Sequence, residues 1–265
     1  MTDAIPSYPM RIDVDSDITR LVARAADLIE ALVRTRPDAV LGIATGSTPE
    51  PLYAELAARA AAGLDFSRLR IASLDEYVGL GADHPQSYRH FVQRHVIEPL
   101  GIDPGNIVVP DGAAEPQQAA ADFDRGLQRL GGVDLQILGI GPNGHIAFNE
   151  PGSALESGVR VVSLSDSTVE ANARFFPSAA DVPTKAITQG VGTILRSRRA
   201  VLLAFGSAKA EATAAMIDGP VTAAVPASAL QRHPAAEVFL DEAAAAQLCS
   251  VPSTSLSASV ADGCV

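Results

Sequence analysis

The stretch "VDLQILGIGPNGHIAFNEPG", residues 133–152, decides how the chain is read. It opens as an apolar run of strand length and runs into Gly139-x-Gly141-x-x-Gly144, the glycine spacing of a dinucleotide-binding turn. Asp166 stands about 20 residues further on, where that fingerprint wants an acid. The fingerprint also needs a helix opening inside the motif, and Pro151 and Gly152 break "HIAFNEPG" too early to allow one. Pro142 is equally foreign to that turn. What remains is a strand end followed by a polar loop carrying Asn143, His145, Asn149 and Glu150. Histidine titrates near neutrality, and a nearby carboxylate orients it and favours its charged form. A lone loop histidine is commonly structural; one followed by Glu150 at the end of a strand points to proton transfer.

Outward from this loop, strand-like and helix-like segments alternate. "MRIDVDS" has a strand's alternation. From about residue 16 to 34, Ile18, Leu21, Val22, Ala25, Leu28, Ile29, Leu32 and Val33 follow the spacing of one helical face. Further helices are expected at 49–62, 85–98, 117–130, 167–176, 208–217, 226–232 and 241–248. Further strands are expected at 39–44, "LRIASLDEY", "NIVVP", "VDLQILGIG", "VRVVSL", "RAVLLAFG" and "AAEVFLD". Several of these strands are continuously apolar, as in sheets covered on both faces. The pattern is that of the α/β class, a three-layer α/β/α sandwich with a mostly parallel, Rossmann-like central sheet. One catalytic domain is expected over 10–249, with tails at 1–9 and 250–265.

Composition narrows the function. Hydrophobic residues make up 47% of the 265, enough for a large core. A net charge of −11 argues against nucleic acid as a partner, because a phosphate backbone needs a basic stripe. A small phosphorylated substrate needs only a local pocket of donors. No apolar run reaches the roughly 18 residues of a membrane span, and no signal segment is evident, so the cytoplasm is the expected location. Cys249 and Cys264 have neither disulfide-framework nor zinc spacing. His84, His90 and His95 lack the i, i+4 geometry of a helical metal pair. Neither a metal nor a cofactor is expected. Self-association is left open.

In such folds ligands bind beyond the carboxyl ends of the strands, where three more loops carry chemistry. "LGIATGSTP" ends a strand in Gly46, Ser47 and Thr48 with Pro49 at a helix start, which is either an anion cradle or an ordinary N-cap. Asp75 and Glu76 close "IASLDEY", as a general base or as a solvated acidic pair. "FGSAK" places Lys209, one of only two lysines, in the first turn of a helix whose positive end disfavours it. A bound anion removes that conflict.

Taken in order, "LGIATGSTP", "SLDEYVGL", "HPQSYRHF", "LGIGPNGHIAFNEPGS", "ARFF", "TQGVGTIL" and "GSAKA" resemble the glucosamine-6-phosphate deaminase (isomerising) family over nearly the whole chain. The resemblance implies conversion of glucosamine 6-phosphate and water to fructose 6-phosphate and ammonia, in amino-sugar catabolism, without a cofactor. It implies Asp75 as the base moving a proton between C2 and C1, His145 as the ring-opening residue and Glu150 as its acidic partner. Gly46, Ser47, Thr48, Arg174 and Lys209 match positions that hold the sugar phosphate, and residues 160–189 match a lid. Two departures stand out. Asn143 replaces an aspartate that serves the histidine. At the activator site for N-acetylglucosamine 6-phosphate, Ser153 and Arg160 match, but Val162 and Ser163 replace a lysine and a threonine. The resemblance therefore implies near-hyperbolic kinetics without that activation. The rivals are a 6-phosphogluconolactonase and a sugar-phosphate sensor without catalysis. Lactonases carry D-E-R where Tyr77 stands and G-H-T-A-S-L-F-P where this chain has "GHIAFNEP". Intact Asp75, His145 and Glu150 argue against a pure sensor.

Overall fold

The computed structural model describes residues 10–249; both expected tails and Cys264 lie outside the described residues. In chain order the main elements are β1 (Arg11–Asp15), α1 (Ile18–Thr35), β2 (Val40–Ile43), α2 (Glu50–Ala61), β3 (Arg70–Ser73), β4 (Asp75–Tyr77), α3 (Tyr88–Val92) and α4 (Glu98–Leu100). They continue with β5 (Ile107–Val108), α5 (Pro116–Leu130), β6 (Leu135–Leu138), β7 (Arg160–Ser163), α6 (Asp166–Asn172), β8 (Lys185–Thr188), α7 (Val191–Ile194), β9 (Ala200–Ala204), α8 (Ala210–Ile217) and β10 (Ala236–Asp241).

Seven strands form one parallel sheet in the order β1-β10-β9-β6-β2-β3-β5. The continuously apolar strands β2, β6 and β9 are buried along their whole length. Successive side chains of a strand face opposite layers: Leu41 and Ile43 join the main core, while Val40 and Ala72 join a second core with Phe123 of α5 and Ile187 of β8. From β2 the chain builds outward through β3 to β5, then returns to place β6 on the other side of β2. The β2/β6 boundary is therefore the point where strand order reverses, and the crevice beyond it is where open α/β sheets bind ligands.

Helix α1 forms as its apolar stripe predicts. Asp17 caps it by accepting the Thr19 N–H at 2.8 Å, and Leu21, Val22, Ile29 and Val33 are buried. Each such side chain contributes about 1.5–3 kcal/mol on burial. Tyr53 of α2 donates its hydroxyl to Ala44 O at 2.6 Å, fixing that helix against the end of β2.

Several expected elements differ. "LRIASLDEY" is two strands, not one. The chain bends at Leu74, so β3 stays in the main sheet while β4 enters a second, antiparallel sheet ordered β4-β8-β7. Strand β8 had no expected counterpart, because "KAITQG" is too short to show alternation. The expected helix at 85–98 is α3, a π-helical turn at Gln93–Ile97 and α4. The 226–232 segment is 3-10, and 241–248 forms turns after Asp241 closes β10.

Gly190, at the exit of β8, is set by close packing. A Cβ there would lie 2.2 Å from Ser157 O and 2.3 Å from Gly158 O. Gly190→Ala is expected to cost about 1–3 kcal/mol through overpacking, lowering Tm by roughly 2–4 °C per kcal/mol. A thermal melt unchanged by this substitution contradicts the tight seam.

Candidate active site

Four strand ends converge on the reversal crevice. After β2, Gly46 takes φ +98° and, like Ser47, is exposed. Pro49 occupies the cap position of α2, and no side chain caps that helix. The side-chain N-cap alternative thus fails, and α2 begins with first-turn N–H groups that no described side chain caps. After β9, Lys209 is half-buried and donates Nζ–H to Ile140 O at 2.7 Å. It lies in a 3-10 turn, Ser207–Lys209, that precedes α8. Burial holds its pKa below the ordinary lysine value, and the charge of Arg174 lowers it further. Arg174 reaches in from the turn after α6 and rests over the Phe175 ring at 4.7 Å.

The bend after β3 buries Asp75 and Glu76 together. The solvated-pair alternative fails. Glu76 accepts the backbone N–H groups of Tyr77, Tyr88 and Arg89 at 2.8, 2.9 and 2.8 Å, anchoring the start of α3. Among the described residues the Asp75 carboxylate makes no such bond. Burial pushes Asp75 well above the usual carboxylate range, and the neighbouring Glu76 charge adds to the effect. A carboxylate in that state is a stronger proton acceptor than an exposed one. Tyr77, Tyr88 and Phe148 cluster beside it, with ring centroids 4.9 to 5.9 Å apart, and Phe176 meets Tyr77 edge-on at 6.0 Å.

After β6 the loop makes tight turns and no helix, as the failed fingerprint requires. At Gly141 the lack of a side chain makes room for the loop's own histidine: a Cβ would lie 2.2 Å from the His145 ring, so the imidazole fills the space. Beside Gly139 the space is open. His145 Nδ1 is buried without a hydrogen bond and lies 3.6 Å from Glu150 Oε2. Among the described residues no hydrogen bond joins the imidazole ring to the Asn143 side chain. Its Nδ2 donates to Glu150 Oε2 at 2.7 Å, and its Oδ1 accepts the His145 backbone N–H at 3.2 Å. The His145 contact, with the Thr168 hydroxyl and Asn143, draws Glu150 down to about 2 against the opposing effect of burial.

Sequence reading assigned no role to Asn149 or Gln189, yet they join the two halves of the site. The buried Asn149 amide donates to Ile146 O and Gln189 O, each at 2.9 Å, and accepts from Arg160 at 2.9 Å. Gln189 donates Nε2–H to Ser73 O and its backbone N–H to Leu74 O, each at 2.8 Å. Asp75 and Glu150 are the residues next in sequence to Leu74 and Asn149. The signal available was "TQG" directly after an apolar pair, too brief to distinguish from a turn.

A family model described as "Glucosamine-6-phosphate isomerases/6-phosphogluconolactonase" matches residues 13–240. The chain belongs to this family. It is 54% identical over 225 residues to a glucosamine-6-phosphate deaminase of Pseudarthrobacter chlorophenolicus, covering 84% of this chain and 87% of that one. It is 54% identical over 226 residues to one of Streptomyces coelicolor, with the same coverage. A solved structure described as a monomeric glucosamine-6-phosphate deaminase superposes with TM-score 0.87 at 38% identity, covering 90% of this chain and all of the other. The 6-phosphogluconolactonase of Trypanosoma cruzi shares the fold, with TM-score 0.76 at 21% identity over 92% of this chain and 99% of the other. Within the glucosamine-6-phosphate isomerase/6-phosphogluconolactonase family, the seven-stranded sheet and reversal crevice are thus the common frame. No helix among the described residues is long and apolar enough to cross a membrane.

The raised proton affinity of Asp75 has a sign for stability. Between the usual aspartate range and its raised value, the folded chain holds a proton the unfolded chain has released, so stability falls as pH rises through that window. Asp75→Asn removes the buried charge. Its Tm is expected to exceed the parent's at pH 8, with the gain shrinking as pH falls toward the usual aspartate range. An Asp75→Asn protein no more stable than the parent at pH 8 contradicts the buried-charge account.

Proposed function

We propose that the chain catalyses the isomerising deamination of glucosamine 6-phosphate to fructose 6-phosphate and ammonia, as a cytoplasmic enzyme of amino-sugar (N-acetylglucosamine) catabolism. One observation carries the assignment of roles. A buried carboxylate of raised proton affinity, Asp75, and an imidazole–carboxylate pair, His145 and Glu150, share one crevice through the Asn149–Gln189 amides. The relatives at 54% identity are named for this reaction, whereas the lactonases at 21% share the fold alone.

The phosphate is held by the backbone and hydroxyls of Gly46, Ser47 and Thr48, with Arg174 and Lys209. Fixing this remote group spends binding energy on the alignment of C1 and C2. His145 transfers a proton at the ring oxygen as the pyranose opens, with Glu150 as its charge partner and Asn143 orienting Glu150. Asp75 then takes the proton from C2 of the open chain and returns it at C1, while a proton passes from the amine nitrogen to O1, leaving a C=N bond at C2 and a hydroxyl at C1. Water adds at C2, the amine departs as ammonia, and the ketose remains. Tyr77 closes the aromatic wall where lactonases carry arginine. Arg160 donates to Asn149, Gly158 O and Ser153. With Val162 at the lysine position, this leaves little to hold an activating phosphate.

The test is a coupled assay for ammonia release from glucosamine 6-phosphate. The parent chain should release ammonia with a hyperbolic saturation curve unaltered by N-acetylglucosamine 6-phosphate. Asp75→Asn should lose at least about a hundredfold in kcat, the low end of what general-base catalysis supplies. No ammonia from the parent, or hydrolysis of 6-phosphogluconolactone in its place, overturns the reading.

A further inference from the structure

Glu150 divides its carboxylate between two parts of the molecule. Oε2 accepts from Asn143 and faces His145, inside the loop after β6. Oε1 faces the lid, where it accepts the hydroxyl of Thr168 and lies 3.3 Å from Ser165 Oγ. Both hydroxyls belong to the first turn of α6. Ser165 is its N-cap and accepts the Thr168 N–H at 3.2 Å, and the two side-chain oxygens are 3.0 Å apart. Thr168 is buried, so its single hydroxyl proton is committed to this carboxylate rather than shared with bulk water. Ser165, and not Thr168, is the N-cap of the helix.

We propose that Thr168 is a positioning residue that fastens the lid to Glu150, so that the ring-opening pair is assembled only when α6 is seated over the crevice. The inference rests on the assignment of His145 and Glu150 to ring opening. Its physical content is a division of labour. Gly46, Ser47, Thr48, Lys209 and Asp75 stand on loops of the main sheet and on the Leu74 bend, outside α6, whereas Arg174 follows α6 directly. Glu150 Oε2 is held toward His145 by Asn143, and Oε1 is held from the other side by Thr168. With Oε1 released, the single Asn143 bond is left to restrain the carboxylate about its terminal bond, a broad torsion. Lid seating and the ionised form of Glu150 thereby support one another, as linkage requires.

Thr168→Val keeps the branched shape and removes the donor; Thr168→Ser keeps the donor. In the full-length enzyme, Thr168→Val should lower kcat by about ten- to a hundredfold, the scale of one hydrogen bond to a charged group, with KM near the parent's. Thr168→Ser should recover most of the loss. The Glu150 carboxyl resonance, followed by carbon-13 NMR against pH without turnover, should titrate about one unit higher in Thr168→Val and near the parent value in Thr168→Ser. A merely structural Thr168 would lower Tm without moving that midpoint. Parental kcat in Thr168→Val, an unmoved Glu150 midpoint, or no recovery by serine overturns the proposal. Should Glu150→Gln retain full kcat, the ring-opening assignment falls, whereas the carboxyl titration still reports on the lid tether.

Discussion

The site depends on two buried amides, Asn149 and Gln189. An amide in an apolar interior is stable only when its donors and acceptor are matched, and Asn149 meets that requirement with Ile146, Gln189 and Arg160. Gln189 meets it with Ser73 O. The matched bonds run from the loop after β6, through the end of β8, to the bend after β3. Catalytic groups contributed by different strands are usually held by the sheet alone. Here the sheet brings the strand ends near, and the amides fix one carboxylate relative to the other. Separating the halves would leave several polar groups dry and unpaired, at about 1–3 kcal/mol each.

With that distance set, electrostatics drives the two carboxylates apart in character. Asp75 sits in a dry wall beside a second acid and becomes more basic. Glu150 sits among donors and becomes more acidic. Pairs of titratable groups pushed in opposite directions are the usual mark of divided acid–base labour. Glu76 supports this arrangement twice over. Its backbone hydrogen bonds seat α3 and the aromatic wall, and its charge raises Asp75. Asn143 fits the same pattern: an aspartate 2.7 Å from Glu150 would force the two acids to share a proton, whereas the amide donates.

Much of this was legible in the chain. Helix α1 followed from its apolar stripe, and the buried strands β2, β6 and β9 from their unbroken hydrophobicity. The loops after β2, β3, β6 and β9 followed from glycine, acid, histidine and lysine at strand ends. The antiparallel sheet was not legible: β7 was expected as a strand and β4 as the end of β3, but the four-residue β8 that joins them showed no alternation of its own. The amide bridge was hidden for a related reason. Asn149 and Gln189 are 40 residues apart, and nothing local marks an amide that will be buried. Gly141 shows a third limit: its glycine was evident, but that the crowding atoms belong to His145 emerges only in three dimensions.

The central claim is that Asp75 serves C2 while His145 and Glu150 serve the ring oxygen, on opposite sides of one substrate anchored by its phosphate. The most direct measurement is a crystal structure with an open-chain 2-amino-2-deoxyalditol 6-phosphate, which cannot isomerise. The account predicts the phosphate against residues 46–48, Arg174 and Lys209, with C2 toward Asp75 and the C5 hydroxyl toward His145. A phosphate bound elsewhere, or C2 turned toward Glu150 with Asp75 unused, would contradict it.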